Sequence, residues 1–196
     1  MGVLVGPIMV LKAINDVLLR IGRAFAVGAL AIMVAVILAQ VFFRYVLNAA
    51  LPWPDEAARF MMLWMTGLIA PMAYRRGGFV AIDMLERALP VRVAAGLTLF
   101  LLALSLMVLV YAAQIGWSEV TGFGGRFATA SLYVPMSFAF DEWYRVPRSW
   151  MMASLLVGIS LLILVSVELI LRQIATMLGG SGQLPALPVT DLPEAE

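Results

Sequence analysis

The sequence predicts an all-α integral membrane protein: four transmembrane helices, preceded by an amphipathic helix in the membrane interface, with both termini cytoplasmic. Three observations carry this. Of 196 residues, 63% are hydrophobic and the mean hydropathy is +1.00, whereas a soluble domain is about 45–50% apolar. Only 13% of residues are charged, against roughly 25% in soluble proteins. The charges border long uncharged runs instead of interrupting them, as hydrocarbon demands. A single membrane domain over residues 1–178 follows.

The interfacial helix is expected over about 7–23. Lys12, Asp16, Arg20 and Arg23 fall at i, i+4, i+8 and i+11, with Asn15 beside them and Ile8, Leu11, Ile14, Leu18 and Ile21 on the other faces. Span 1 is the uncharged run 24–43. At 1.5 Å per residue it covers about 30 Å, one hydrocarbon core. That length makes it an anchor in its own right and not a cleaved signal. Span 2 covers about 57–74; Arg59 sits one turn inside it, where the side chain can snorkel, and Pro71 frees the carbonyl of Gly67. Span 3, about 94–118, lies in the uncharged run Val93 to Ser118. That run exceeds one membrane thickness and so implies tilt or projection. Span 4 covers about 149–167 and is closed by Glu168. The tail, 179–196, is rich in Gly and Pro, ends acidic, and is expected to be disordered.

Orientation follows from Lys and Arg. Lys12, Arg20, Arg23, Arg75, Arg76, Arg87, Arg92 and Arg172 fall on the side of the termini. Arg44, Arg59, Arg126, Arg145 and Arg148 fall on the other. The richer side is assigned to the cytoplasm, which leaves the loop Glu119 to Arg148 external.

There is no cysteine and no histidine. Disulfides, thiolate chemistry, Cys/His metal sites, histidine-ligated haem and a Ser-His-Asp site are therefore excluded. No cofactor is expected. With a net charge of +1 and no basic run longer than Arg75-Arg76, nothing points to nucleic acid.

Asp55 and Glu56 follow Pro54, which suits a first helical turn, and acids there complement the helix dipole. Either carboxylate is spaced to pair with Arg59. A cap with an ion pair is thus expected, not acid–base catalysis. Spans 1, 3 and 4 carry no charge at mid-depth, and Gln40 and Gln114 lie near helix ends, so the ionisable groups of an ion-coupled translocator are missing. The chain does have packing surface: Thr66, Gly67, Ala70 and Ala73 cluster on one side of span 2, where small residues let helices approach closely. Their partner is another span of this chain or another subunit. Trp53, Trp117, Trp143 and Trp150 read as interface anchors. Gly122-Phe123-Gly124-Gly125 lacks the Lys-Ser/Thr of a phosphate loop and is read as a bend into a re-entering segment.

The block Gln40-Val41-Phe42-Phe43-Arg44-Tyr45, then Trp53-Pro54-Asp55-Glu56-Ala57-Ala58-Arg59, resembles the small, DctQ-like membrane subunit of tripartite ATP-independent periplasmic (TRAP) transporters. Trp64, Gly67, Ala73, Arg75-Arg76-Gly77-Gly78 and Val80-Ala81-Ile82-Asp83 continue it, with a looser echo at Leu132-Tyr133-Val134-Pro135 and Val146-Pro147. Two departures stand out: Phe79 occupies a place where the family often has histidine, and the first acid is Asp55 instead of glutamate.

The resemblance implies a scaffold in the bacterial inner membrane, beside a large membrane subunit that carries the substrate and sodium sites. A periplasmic solute-binding protein completes such systems, and docking it is an open second role. Organic anions, typically carboxylates, are the implied solutes. The motif residues Arg44, Trp53, Asp55, Glu56, Arg59, Trp64, Gly67, Arg76 and Gly77 are then structural or partner contacts, with no catalytic, cofactor or metal role. Two alternatives stand beside this: a self-sufficient small exporter, which would need an embedded carboxylate absent from span 1, and the membrane anchor of an electron-transfer complex.

Overall fold

A computed structural model describes residues 2–76, 89–135 and 143–179. Among these residues the fold has four helices: α1 (Gly2–Tyr45), α2 (Pro54–Arg75), α3 (Val91–Thr121) and α4 (Ser149–Met177). Between α3 and α4 come a short 3-10 turn (Gly124–Arg126) and a hairpin of β1 (Ala128–Pro135) and β2 (Trp143–Pro147). The helices stand in a row in which α1 packs on α2, α2 on α4 and α4 on α3, with α1 also reaching α4.

α1 corrects the expected division into an interfacial helix 7–23 and a span 24–43: it is one helix of 44 residues, about 66 Å long and twice the thickness of a hydrocarbon core. Its inward positions explain the continuity. Ile8, Asn15, Leu19, Gly22 and Ala26 are buried, and Ala29, Met33, Val36, Gln40 and Phe43 are half-buried. From Asn15 onward these recur every three or four residues, a heptad-like seam that carries a helix along its neighbour without a break. Pro7 lies inside the second turn of α1, where its missing N–H removes one bond to the backbone four residues earlier. The helix stops at Tyr45, and Asn48 takes a left-handed φ of 52° to turn the chain.

Pro54 opens α2, with Asp55 and Glu56 in its first turn. Among the described residues three helices are long and apolar enough to cross a membrane: α1, α3 and α4. The 22 residues of α2 suffice in length, but Asp55, Glu56, Arg59 and Arg75 dilute its hydropathy. α4 is the most enclosed of the three apolar helices, with 39% of its most apolar window buried against 11% for α1 and α3, as its central place in the row requires. It also runs past the expected end at 167, because Glu168 and Arg172 are buried and paired inside the protein.

α2 and α4 cross at Gly67 and Gly158. A Cβ on Gly67 would stand 2.5 Å from the Ser154 carbonyl oxygen, and one on Gly158 would stand 2.7 Å from the Gly67 oxygen. Only hydrogen permits this approach, which gains dispersion contact where lipid supplies no hydrophobic drive. Gly67 of the expected small-residue face thus packs within the chain, whereas Thr66 and Ala73 are exposed.

The hairpin adds a feature to the helical architecture where a re-entering segment was expected. Its strands are antiparallel, with Tyr133 opposite Arg145 and Pro135 opposite Trp143, and the register is irregular between Ala128 and Tyr133. The Thr129 hydroxyl donates to the Val146 carbonyl at 2.7 Å and pins that irregular stretch. Gly77, with the rest of 77–88, lies outside the described residues, as do Asp141, Glu142 and the tail 180–196.

Gly67→Ala is expected to lower the melting temperature in detergent, because its Cβ meets backbone and cannot be accommodated without moving α2 from α4. Overpacking of this kind costs about 1–3 kcal/mol. Gly96→Ala, where a Cβ meets nothing within 4 Å, should leave the melting temperature unchanged or raise it through helix propensity.

Candidate functional site

Two polar clusters hold the row of helices, one at each end of α2. The first lies where the carboxy-terminal end of α2 meets α1 and α4. Arg75 donates from Nη1 to Asp16 Oδ1 on α1 at 2.5 Å and from Nη2 to Glu168 Oε1 on α4 at 2.8 Å. Arg172, one turn beyond Glu168, donates from Nε to the same oxygen at 3.0 Å. Asn15 donates to Glu168 Oε2 at 2.7 Å, and Lys12 stands 4.0 Å from Asp16. Glu168 is fully buried and Arg75 nearly so. Burying a carboxylate is costly unless charge and hydrogen bonds compensate; here both of its oxygens are occupied. Above the cluster, the Ser166 hydroxyl donates to the Tyr74 phenol oxygen at 3.1 Å.

The second cluster lies at the amino-terminal end of α2. Glu56 accepts the backbone N–H of Ala130 at 2.9 Å, the N–H of Ser131 at 2.5 Å and the Ser131 hydroxyl at 2.7 Å. Both amides belong to the irregular stretch of β1, outside the regular ladder, so the carboxylate takes donors that β2 leaves unpaired. Burial pushes the Glu56 carboxyl up, but the Ser131 and Ala130 hydrogen bonds together outweigh it and hold the group below its ordinary value. Arg145 stacks 5.5 Å from the Tyr133 ring centroid and donates to the Ala130 carbonyl at 2.7 Å.

This arrangement corrects the expected ion pair of Arg59. Arg59 is exposed, and neither Asp55 nor Glu56 lies within ion-pair distance of it. Glu56 turns toward the hairpin because three donors converge there, and Asp55 faces outward. The other described motif residues spread along the molecule without forming a single pocket. Arg44 is exposed at the end of α1, 5.9 Å from the Tyr45 ring centroid. Trp53 precedes α2 and is exposed. Trp64 lies half-buried beside Phe60, ring centroids 6.3 Å apart. Arg76 caps α2, its N–H directed to the Met72 and Tyr74 carbonyls, with its side chain in the open.

Reading the sequence singled out Arg76 for a role and left Arg75 as a flank. Its available signal was the Glu168/Arg172 pair, four apart at the end of an otherwise uncharged helix. Asp16 was read only as part of an interfacial stripe. Among the described residues no group of three or more acidic side chains is placed to hold a metal ion. The clusters do structural chemistry: they neutralise buried charge and fix one helix against the next.

The family model for tripartite ATP-independent periplasmic transporters, DctQ component, matches residues 33–176. The chain belongs to the DctQ family. A search of curated proteins gives no match. The DctQ match takes in α2, α3, the hairpin and α4, and so includes Glu56, Arg75, Glu168 and Arg172, while Asn15 and Asp16 precede it. The protein is accordingly a membrane component of a TRAP transporter. The family describes a part of a transport machine, not an enzyme, and its tripartite build implies a large membrane subunit and a binding protein as partners.

Arg75→Ala is expected to destabilise the folded chain by about 3–5 kcal/mol, the cost of stranding a buried charge partner. Arg76→Ala should stay within about 0.5 kcal/mol, as an exposed surface change does; denaturant unfolding in detergent separates the two. Because the folded pKa of Glu56 lies below the unfolded value of about 4.3, its contribution is complete above that pH and is lost as pH falls through the folded value. Hydrogen-exchange protection of the Ala130 and Ser131 amides should therefore persist at neutral pH, fall in acid, and be low at every pH in Glu56→Ala.

Proposed function

We propose that this chain is the scaffold subunit of a sodium-coupled tripartite importer of an organic anion, a carboxylate, in the bacterial inner membrane. In this reading all four helices span, both termini lie in the cytoplasm, and α2 crosses as the least apolar span, sheltered between α1 and α4. The large subunit carries the solute and sodium sites. The hairpin side faces the periplasm and offers the surface on which the binding protein docks.

The observation that carries this reading is the closure of the buried charge. Asp16, Arg75, Glu168 and Arg172 neutralise one another within the chain. A solute or sodium site needs polar groups free to bind and release, and among the described residues the groove between α1 and α2 is lined by apolar side chains. A protein that belongs to a transporter family yet keeps its charges internally paired is suited to support a transporting partner.

One observation bears on the exporter alternative. Glu168 is an embedded carboxylate of the type a small exporter requires, though on α4 instead of the first span. Two arginines and Asn15 already hold it, and discharging it would expose the cost described above.

Affinity purification of the chain from native membranes in mild detergent should bring down a large multispanning permease in stoichiometric amount. Deleting the chain should abolish sodium-dependent carboxylate uptake, and supplying it in trans should restore uptake of the same solute. Recovery of the chain alone, with drug efflux lost on deletion, would establish the exporter instead.

A further inference from the structure

We propose that the groove between α1 and α2 holds an acyl chain of an anionic phospholipid, with the lipid phosphate bound by Arg20 and Arg23. The groove encloses about 490 Å³ and is lined by Ala24, Gly28 and Ile32 of α1 and by Phe60, Trp64 and Leu68 of α2, among others. Its walls are almost wholly apolar, which suits a hydrocarbon tail and no polar ligand.

Its length fits one leaflet. From Ala24 to Ile32 the helix rises about 12 Å, close to the half-thickness of a hydrocarbon core of about 30 Å. Gly28 keeps the floor open: a Cβ there would meet nothing within 4 Å. Gly22, by contrast, lies against Leu68, its Cβ position 3.6 Å from that side chain, so the helices close just beyond the groove. The gap is therefore bounded at the end nearer the Arg75 cluster and widens toward the middle of the membrane.

Charge is placed at the closed end. Arg23 adjoins Ala24, and Arg20 lies one turn further along α1; both are exposed. Among the described residues neither has a carboxylate within ion-pair distance, because Asp16, one turn from Arg20, is held by Arg75 and Lys12. Two guanidinium groups, unpaired among the described residues, flank the closed end of a groove that is open along its side, and so match a phosphodiester whose tail runs along the groove toward the middle of the membrane. A neutral lipid would satisfy the groove and leave the arginines without a partner.

The inference requires only that α1 and α2 lie in a bilayer, as the proposed function has them; it needs no transport partner. The test is therefore made on the purified full chain. Its melting temperature in detergent is measured with phosphatidylglycerol or phosphatidylcholine of identical acyl chains. Phosphatidylglycerol should raise it more. Arg20→Gln combined with Arg23→Gln should weaken the phosphatidylglycerol effect roughly tenfold to thirtyfold in lipid concentration, the expectation for two cations at an anionic surface. Gly28→Leu should fold normally, fill the groove and abolish lipid-specific stabilisation. Arg92→Gln, an exposed cation on α3 at the same end, should change nothing.

Equal stabilisation by the two lipids overturns the proposal. So does a phosphatidylglycerol effect that survives Gly28→Leu. If that variant retains the lipid effect and instead loses a co-purifying permease, the groove seats a partner helix and not a lipid.

Discussion

The Glu168 carboxylate is the point on which the arrangement of helices depends. Within a bilayer, apolar faces gain little by leaving lipid for protein, so shape and polar contacts must choose which helices meet. Glu168 cannot sit in lipid alone. It is neutral in effect only where Arg75 of α2 and Arg172 of its own helix converge and Asn15 of α1 fills its second oxygen. One buried charge thereby specifies three helices at once. The same argument explains why α4 continues past its apolar segment and why α1 extends far beyond one membrane thickness: Asn15 and Asp16 lie on the part of α1 that a minimal span would lack.

α2 is fixed at three heights. Arg75 ties its last turn to α1 and α4, Gly67 lets its middle press on the α4 backbone, and Glu56 ties its first turn to the hairpin. Its modest hydropathy is a consequence of this role, since residues that bind protein at each end replace residues that would face lipid. α1 and α3, on the flanks of the row, retain broad apolar outer faces, including Phe25, Leu38, Phe100 and Ile115. In a membrane such faces need no further partner.

Much of this was legible in the chain. The apolar runs located α3 and the core of α4 to within a few residues, because uncharged length is a strong signal. The lip Pro54-Asp55-Glu56 announced the start of α2 through its own helix-terminus chemistry. The cohesion of α1 was less visible: the basic stripe dominated residues 12–23, and the heptad seam through Asn15, Leu19, Gly22 and Ala26 becomes evident only once a neighbouring helix occupies it. Arg75 and Arg76 differ by about 100° around the helix axis, and local sequence does not say which faces inward. Glu56 and Arg59 obeyed the spacing rule for an ion pair, worth about 0.2–0.5 kcal/mol. Three hydrogen bonds to a distant strand exceeded it. The hairpin itself depends on pairing across 15 or so residues and on an irregular register, neither of which a local reading contains.

Under the scaffold role proposed above, the subunit must not deform when load is applied across it, and its stiffness depends on contacts that break only together. The row of helices alone would shear easily, since α3 packs on α4 and α1 packs mainly on α2, with a smaller contact to α4. The closed charge network resists shear because sliding α2 by one turn would separate Arg75 from Asp16 and Glu168 simultaneously, while moving Gly67 away from Gly158 and bringing a larger side chain against the α4 backbone. The Glu56 clamp adds a second fixed point about 30 Å away along α2. Two anchors at opposite ends of α2, joined by a helix that cannot slip, make the α2–α4 pair a strut. The outer faces of α1 and α3 are then free to meet lipid or partner.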